Sequence, residues 1–162
     1  MRLLEGIVTV GDLDGFIATL GAIGDAHDAT VQAFDARYVT GRSHLQRALE
    51  LADRAFDRDE NIADDRAVEL LCYAAGRRQI DQALTMGLST GSTPAVILVD
   101  GGDEAGAIDE LESLLERTPT LGDYDRARVC SFFDITSAEV DATDRDLSAL
   151  VEERVALLTI EK

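Results

Sequence analysis

Arginine is the residue type in this sequence whose placement points most directly to chemistry. The segment ARYVTGRSHLQR (Ala36–Arg47) carries Arg37, Arg42 and Arg47 with His44 and no acid, and AAGRRQ (Ala74–Gln79) sets Arg77 beside Arg78 directly after Gly76. The chain around them has 32 acidic residues and a formal net charge of −17. Two acid-free basic windows in that background imply a positive patch if the fold brings them together. A guanidinium fork binds phosphate oxygens in pairs and stacks on the faces of bases. Arg78, Gln79 and Ile80 in sequence combine such a fork with a polar amide and an apolar side chain. The competing reading of any single arginine is a counter-charge for neighbouring carboxylates.

Other chemistries find less support. His27 and His44 are the only histidines, and neither has a second ligand at metal-binding spacing. Cys72 and Cys130 lie far apart in apolar surroundings (LLCYAA, RVCSFF), as reduced core thiols do. GLSTGSTP (Gly87–Pro94) lacks the lysine of a phosphate loop and precedes a strand instead of following one, so it reads as a connecting loop. Gly101-Gly102 does lead from a strand into a helix, but the carboxylates of DGGDE would repel an anion there. No nucleophile elbow or paired catalytic acids can be isolated. The expectation is a protein that is not an enzyme, with no catalytic residues, no metal and no cofactor.

Bulk composition bounds the setting. With 162 residues and 46% hydrophobic content, one domain spanning 1–162 is expected, able to bury roughly 70% of its unfolded surface. No apolar run approaches the length of a membrane span, and MRLLEGIVTVGD lacks the apolar core of a signal peptide, so no membrane and a cytoplasmic location are expected. Basic charge comes almost wholly from arginine, Lys162 being the single lysine. Acid-rich, lysine-poor surfaces suit a halophile, because in molar salt the screening length falls to about 3 Å and self-repulsion is damped. A nucleic-acid mimic, or a partner for basic proteins, is the other reading of the acid.

The elements that must position the arginines follow from periodicity. LLEGIVTV reads as a first strand and DLDGFIATLGAIGD as a helix with Asp12 as N-cap. TVQAFDARYV alternates like a half-buried strand through Val39. Ser43 is expected to cap a long helix with Leu45, Ala48, Leu49, Ala52, Ala55 and Phe56 inward. RAVELLCYAAG follows from Asp64 or Asp65 and stops at Gly76 as a left-handed C-terminal residue. RRQIDQALTMG restarts a short helix, LSTGSTP is a loop, and AVILVD is a strand buried on both faces. DEAGAIDELESLLER, RARVCSFF, TSAEVDA and TDRDLSALVEERVALL read as helices before a short terminal TIEK. Strands mixed with helices imply an α+β (mixed α/β) domain with a small sheet flanked by several helices.

From Ala55 to Ser92 the sequence resembles the small kinase-binding subunit of the KEOPS complex, the TPRKB-like family, in its archaeal type. The resemblance rests on Phe56, Asn61-Ile62, Glu69-Leu70-Leu71, Gly76, Arg78-Gln79-Ile80, Gly87-Leu88 and Gly91. The order of elements agrees over residues 1–117, and the C-terminal third matches by position alone. The resemblance implies a non-catalytic subunit in the threonylcarbamoyladenosine modification of tRNA. Such a subunit binds the atypical kinase/ATPase of the complex and, in archaeal members, the single-stranded 3′ CCA end of tRNA. It assigns tRNA contact to Arg77, Arg78, Gln79 and Ile80, with Arg42 and Arg47 as weaker candidates from charge pattern; Arg78 is the sharper choice of the pair. Asn61 and Glu69 are either part of that site or structural supports of the helix joint. For the kinase, the candidates are Leu147, Leu150, Val151 and Val155, or the helix carrying Phe16, Ile17 and Leu20; a core role competes for both. The alternative function is a stand-alone acidic protein–protein adaptor without RNA contact.

Overall fold

The computed structural model describes residues 1–142 and 146–161. Its sheet has four strands, β1 (Arg2–Val10), β2 (Thr30–Asp35), β3 (Gly91–Asp100) and β4 (Glu116–Arg117), in the order β2-β3-β1-β4. Every neighbouring pair is antiparallel; β1 meets β3 from Arg2↔Val99 to Val10↔Gly91, and β2 meets β3 from Thr30↔Asp100 to Asp35↔Ala95. β3 is the centre. Side chains alternate across a strand, so Ile97 and Val99 enter one apolar cluster while Val96 and Leu98 enter another. The continuous apolar run AVILVD is thereby explained: a strand with helices on both faces has no polar side to show.

One face of the sheet is covered by α1 (Leu13–Ala26) and α5 (Glu104–Leu111), through Leu20, Ile23, Ala107 and Leu111. The other carries the larger cluster, built on α2 (Arg42–Asp57) and α3 (Arg66–Ala75). Its outer members come from α6 (Arg126–Phe133) and α8 (Leu147–Glu161), with the one-turn α4 (Ile80–Ala83) and α7 (Ser137–Ala142) at its margin. The α+β class with a small sheet flanked by helices is therefore what the chain adopts.

Local boundaries differ from the sequence expectation at several points, each for a physical reason. β2 stops at Asp35, not Val39, because the buried Asp35 carboxylate accepts the Arg37 N–H at 3.0 Å and turns residues 36–38 into a 3-10 turn. α2 begins after Gly41, and the expected cap, Ser43, instead donates its hydroxyl to Glu152 across to α8 at 3.2 Å. The second half of the expected loop LSTGSTP is strand: β3 starts at Gly91 and pairs with the outer half of β1. Pro94 is tolerated there because β2 already ended opposite Ala95, leaving no ladder bond to lose on that side. The expected helix through Arg117 breaks after Leu114 to supply β4, which lies over Gly6; a Cβ on Gly6 would collide with Leu115 and the Glu116 carbonyl. The terminal TIE is not separate but the end of α8. Of the expected helix beginning at TDRD, residues 143–145 lie outside the described residues.

Candidate functional site

The paired arginines sit at a joint that the backbone specifies closely. α3 is opened by Asp65, whose carboxylate accepts from Ala67 N at 2.8 Å and Val68 N at 3.2 Å. It is closed by Gly76 in the left-handed region, φ +59°. The Gly76 N–H donates to Tyr73 O and the Arg77 N–H to Cys72 O, the two crossed bonds of a Schellman turn. Arg77, Arg78 and Gln79 then form a link outside any helix, and Gln79 stands before α4 without a side-chain cap. The expectation that a helix restarts on Arg77 is corrected accordingly: the arginines lie in the turn, and the helical residues begin with Ile80.

The four candidates in this turn divide into two environments. Arg77 is half-buried; its Nη2 donates to the Phe132 carbonyl and its guanidinium carbon lies 4.7 Å from the centre of the Phe132 ring. Phe132 is in the last turn of α6, where carbonyls lack intrahelical donors. Arg154 of α8 serves the same helix end, donating to Phe133 O at 3.3 Å and Asp134 O at 3.2 Å while pairing with Glu139 at 3.0 Å. Arg78, Gln79 and Ile80, by contrast, face solvent, Ile80 being 41% exposed. Leu84, one turn further on and 52% exposed, extends the apolar surface. Thr85 then enters a groove of about 450 Å³ shared with Tyr38, Ala127, Arg128, Ser131 and Phe132. Tyr38 and Phe132 meet edge to face there, 5.5 Å between ring centres.

Arg42 and Arg47 make other contacts: Arg42 donates to Met1 O at 3.3 Å, and Arg47 pairs with Glu50 at 3.4 Å on the same helix. Those contacts lie at Met1 and along α2; His44, between the two arginines, reaches Ala74 O near the end of α3. Arg37 is spent on Asp35, with 2.7 Å between Nη2 and the carboxylate.

Two residues that the motif singled out are supports. Glu69 is fully buried and accepts from Ile62 N and Ala63 N at 2.8 Å each, with Asn61 donating to Ala63 O at 2.9 Å. The motif from Asn61 to Glu69 thus locks the loop before α3. His44 is also fully buried; its Nε2 bonds to Ala74 O at 2.7 Å and its Nδ1 accepts from Thr40 N at 3.3 Å, which makes Nε2 the protonated nitrogen. Burial pushes its pKa down to about 4, so the ring in the acid-free window is neutral.

The C-terminal kinase candidates require a correction. Leu147, Leu150, Val151 and Val155 are 6% exposed or less and belong to the large core, so those side chains hold α8 to the molecule and are not presented to a partner. On α1, Leu20 is core and Phe16 is half-buried, whereas Ile17 is 51% exposed. Phe132 and Arg154 were invisible to motif reasoning. RVCSFF reads as ordinary core, and only the return of the chain over α3 puts its end beside Gly76. Among the described residues, no group of His, Cys, Asp and Glu is arranged to hold a metal ion, and no helix is long and apolar enough to cross a membrane.

Comparison with known proteins adds one finding. Residues 16–159 match the model of a family described as kinase binding protein CGI-121, and no curated protein matches. The match covers most of the chain, C-terminal helices included, and the chain belongs to that kinase-binding family.

Proposed function

From this membership in a kinase-binding family, we propose that the chain is a non-catalytic KEOPS subunit of archaeal type. In this reading it binds the atypical kinase/ATPase and holds the single-stranded 3′ CCA end of tRNA in threonylcarbamoyladenosine synthesis. The observation that carries the tRNA part is the exposed Arg78-Gln79-Ile80 face just after a Schellman turn in a chain of charge −17. Single-stranded RNA ends are gripped by phosphate contacts, base-edge hydrogen bonds and stacking on apolar or aromatic surface. Arg78, Gln79 and Ile80 offer these in order, and the Tyr38–Phe132 groove offers room for a splayed base. Arg42 and Arg47 contribute at most a peripheral phosphate contact. The exposed side of α1 around Ile17 is the surface we assign to the kinase. The acidic shell suits a cytoplasm of high salt.

Two measurements test this reading. Arg78→Glu and Ile80→Glu should each weaken binding of an intact tRNA about tenfold or more, and removal of the CCA end should do the same. If all three leave affinity unchanged, the tRNA assignment is wrong and the chain is an acidic protein–protein adaptor. Co-purification with the cognate kinase subunit in high salt should give a stoichiometric complex, lost with Ile17→Glu. Retention of the complex by Ile17→Glu moves the kinase surface elsewhere.

A further inference from the structure

The turn that presents Arg78 does not hold itself in place. α4 is four residues long and its first turn lacks a side-chain cap, and helical pieces this short are unstable alone. Ala83 and Met86 anchor its far end in the large core, and the link before it is held at two points. Gly76 packs against the backbone of α8, where an added Cβ would stand 3.3 Å from Arg154 O. Arg77 reaches across to α6, donating to Phe132 O with its guanidinium carbon over the Phe132 ring. A guanidinium so engaged has an aromatic ring beside it and one arm committed to a helix end, where its positive charge is also favoured by the helix dipole.

We propose that Arg77 is a positioning residue for RNA recognition rather than a phosphate ligand, with Phe132 as its anchor and Arg78, Gln79 and Ile80 as the groups it aims. This inference rests on the tRNA reading above and deepens it. It makes the end of α6, in the C-terminal third of the chain, part of the recognition device. The ring of Phe132 serves two neighbours, since Arg77 covers it while Tyr38 meets it edge to face in the groove. Loss of the ring therefore loosens both the turn and the groove wall.

Salt dependence separates an aiming residue from a contacting one. A side chain that neutralises a phosphate of single-stranded RNA contributes about 0.7 to the slope of log affinity against log salt; one that acts through its neighbours contributes none. Affinity of the full chain for an intact tRNA transcript is measured across a KCl series for Arg78→Gln, Arg77→Gln, Phe132→Leu and Phe132→Tyr. Arg78→Gln should lower affinity and reduce the slope by about 0.7. Arg77→Gln and Phe132→Leu should each lower affinity about five- to twentyfold with the slope of the parent, and together should be no worse than the more damaging of the two. Phe132→Tyr, which keeps the ring, should restore parental affinity. If Arg77→Gln does not fold, the Phe132→Leu and Phe132→Tyr pair decides the same question. A slope loss for Arg77→Gln equal to that of Arg78→Gln makes Arg77 a direct contact and overturns the proposal alone. So does parental affinity in both Arg77→Gln and Phe132→Leu, which would leave the pair as a helix cap only. Failure of the parent to bind tRNA overturns this inference together with the function it rests on.

Discussion

Replacing Glu69 by Gln tests whether a motif residue serves the fold or a partner. The side chain is fully buried on the first turn of α3. One carboxylate oxygen accepts from Ile62 N and Ala63 N at 2.8 Å each, and the other lies 3.1 Å from Ile62 N. Glutamine has the same shape but one acceptor. With its oxygen in the place of the first, two bonds survive in neutral form, and its NH2 then faces the Ile62 N–H, donor against donor. Hydrogen bonds to a charged group contribute about 1.5–3 kcal/mol and neutral ones about 0.5–1.5, so two downgraded bonds cost about 2 kcal/mol and the donor clash somewhat more. Relief of carboxylate desolvation offsets part of this, though the helix N-terminus already favours the charge. The net expectation is a loss of about 2–3 kcal/mol, or a Tm lower by about 5–10 °C for a chain of this size. Glu69→Ala, which orphans two N–H groups and opens a void, should lose about 3–5 kcal/mol. Urea unfolding followed by circular dichroism reads both. A Glu69→Gln variant within about 0.5 kcal/mol of the parent would refute the reasoning, and if it also lost tRNA or kinase binding, Glu69 would belong to a site.

Three further expectations follow from individual side chains. His44 has a folded pKa of about 4 because burial disfavours its charge, so the unfolded chain, at about 6.5, takes up the proton first. Stability is therefore full above pH 6.5 and falls as pH drops toward 4, by about 2 kcal/mol at pH 5; the difference between parent and His44→Asn melting profiles should show this slope, and parallel profiles would deny it. Gly76→Ala places a Cβ at φ +59° and 3.3 Å from Arg154 O, and should cost about 1–2 kcal/mol by thermal melting, with Gly76→Asn costing less. Cys72 is fully buried and its thiol is pushed up to about 11 by burial, with Glu69 adding to the effect, whereas Cys130 is half-buried. Mass spectrometry after iodoacetamide treatment of the folded chain should find Cys130 modified first; equal rates would show that the core opens readily.

A helix start at Asp64 or Asp65, which the structure resolves to Asp65, and Gly76 as left-handed stop were legible because both are local: a carboxylate finds N–H groups two and three residues on, and only a residue without Cβ adopts that turn at no cost. AVILVD was legible as a doubly buried strand because its lack of a polar side demands cover on both faces. The helices of RARVCSFF and TSAEVDA were likewise legible, the latter opened by reciprocal Thr136 and Glu139 bonds at 3.0 and 3.1 Å. Boundaries failed where a distant partner intervened, as with Ser43 donating to Glu152 instead of capping, and β4 leaving an apparently helical run to meet Gly6.

The local sequence thus determined most of the segments that are helix or strand, that the arginines follow a glycine stop, and, through the Asn-Ile, Glu-Leu-Leu and Arg-Gln-Ile pattern, the kinase-binding family. It did so because capping, periodicity and left-handed turns act over a few residues. The tertiary structure decided the rest. It placed α6 and α8 beside Gly76, so that Arg77 is tied to Phe132 while Arg78 faces solvent. It sank Leu147, Leu150, Val151 and Val155 into the core, and it engaged Arg42 with the Met1 carbonyl and Arg47 with Glu50. Two adjacent arginines have the same chemistry in a sequence; only packing from residues about fifty-five positions away in the chain ties one to an aromatic ring and a helix end while the other stays exposed.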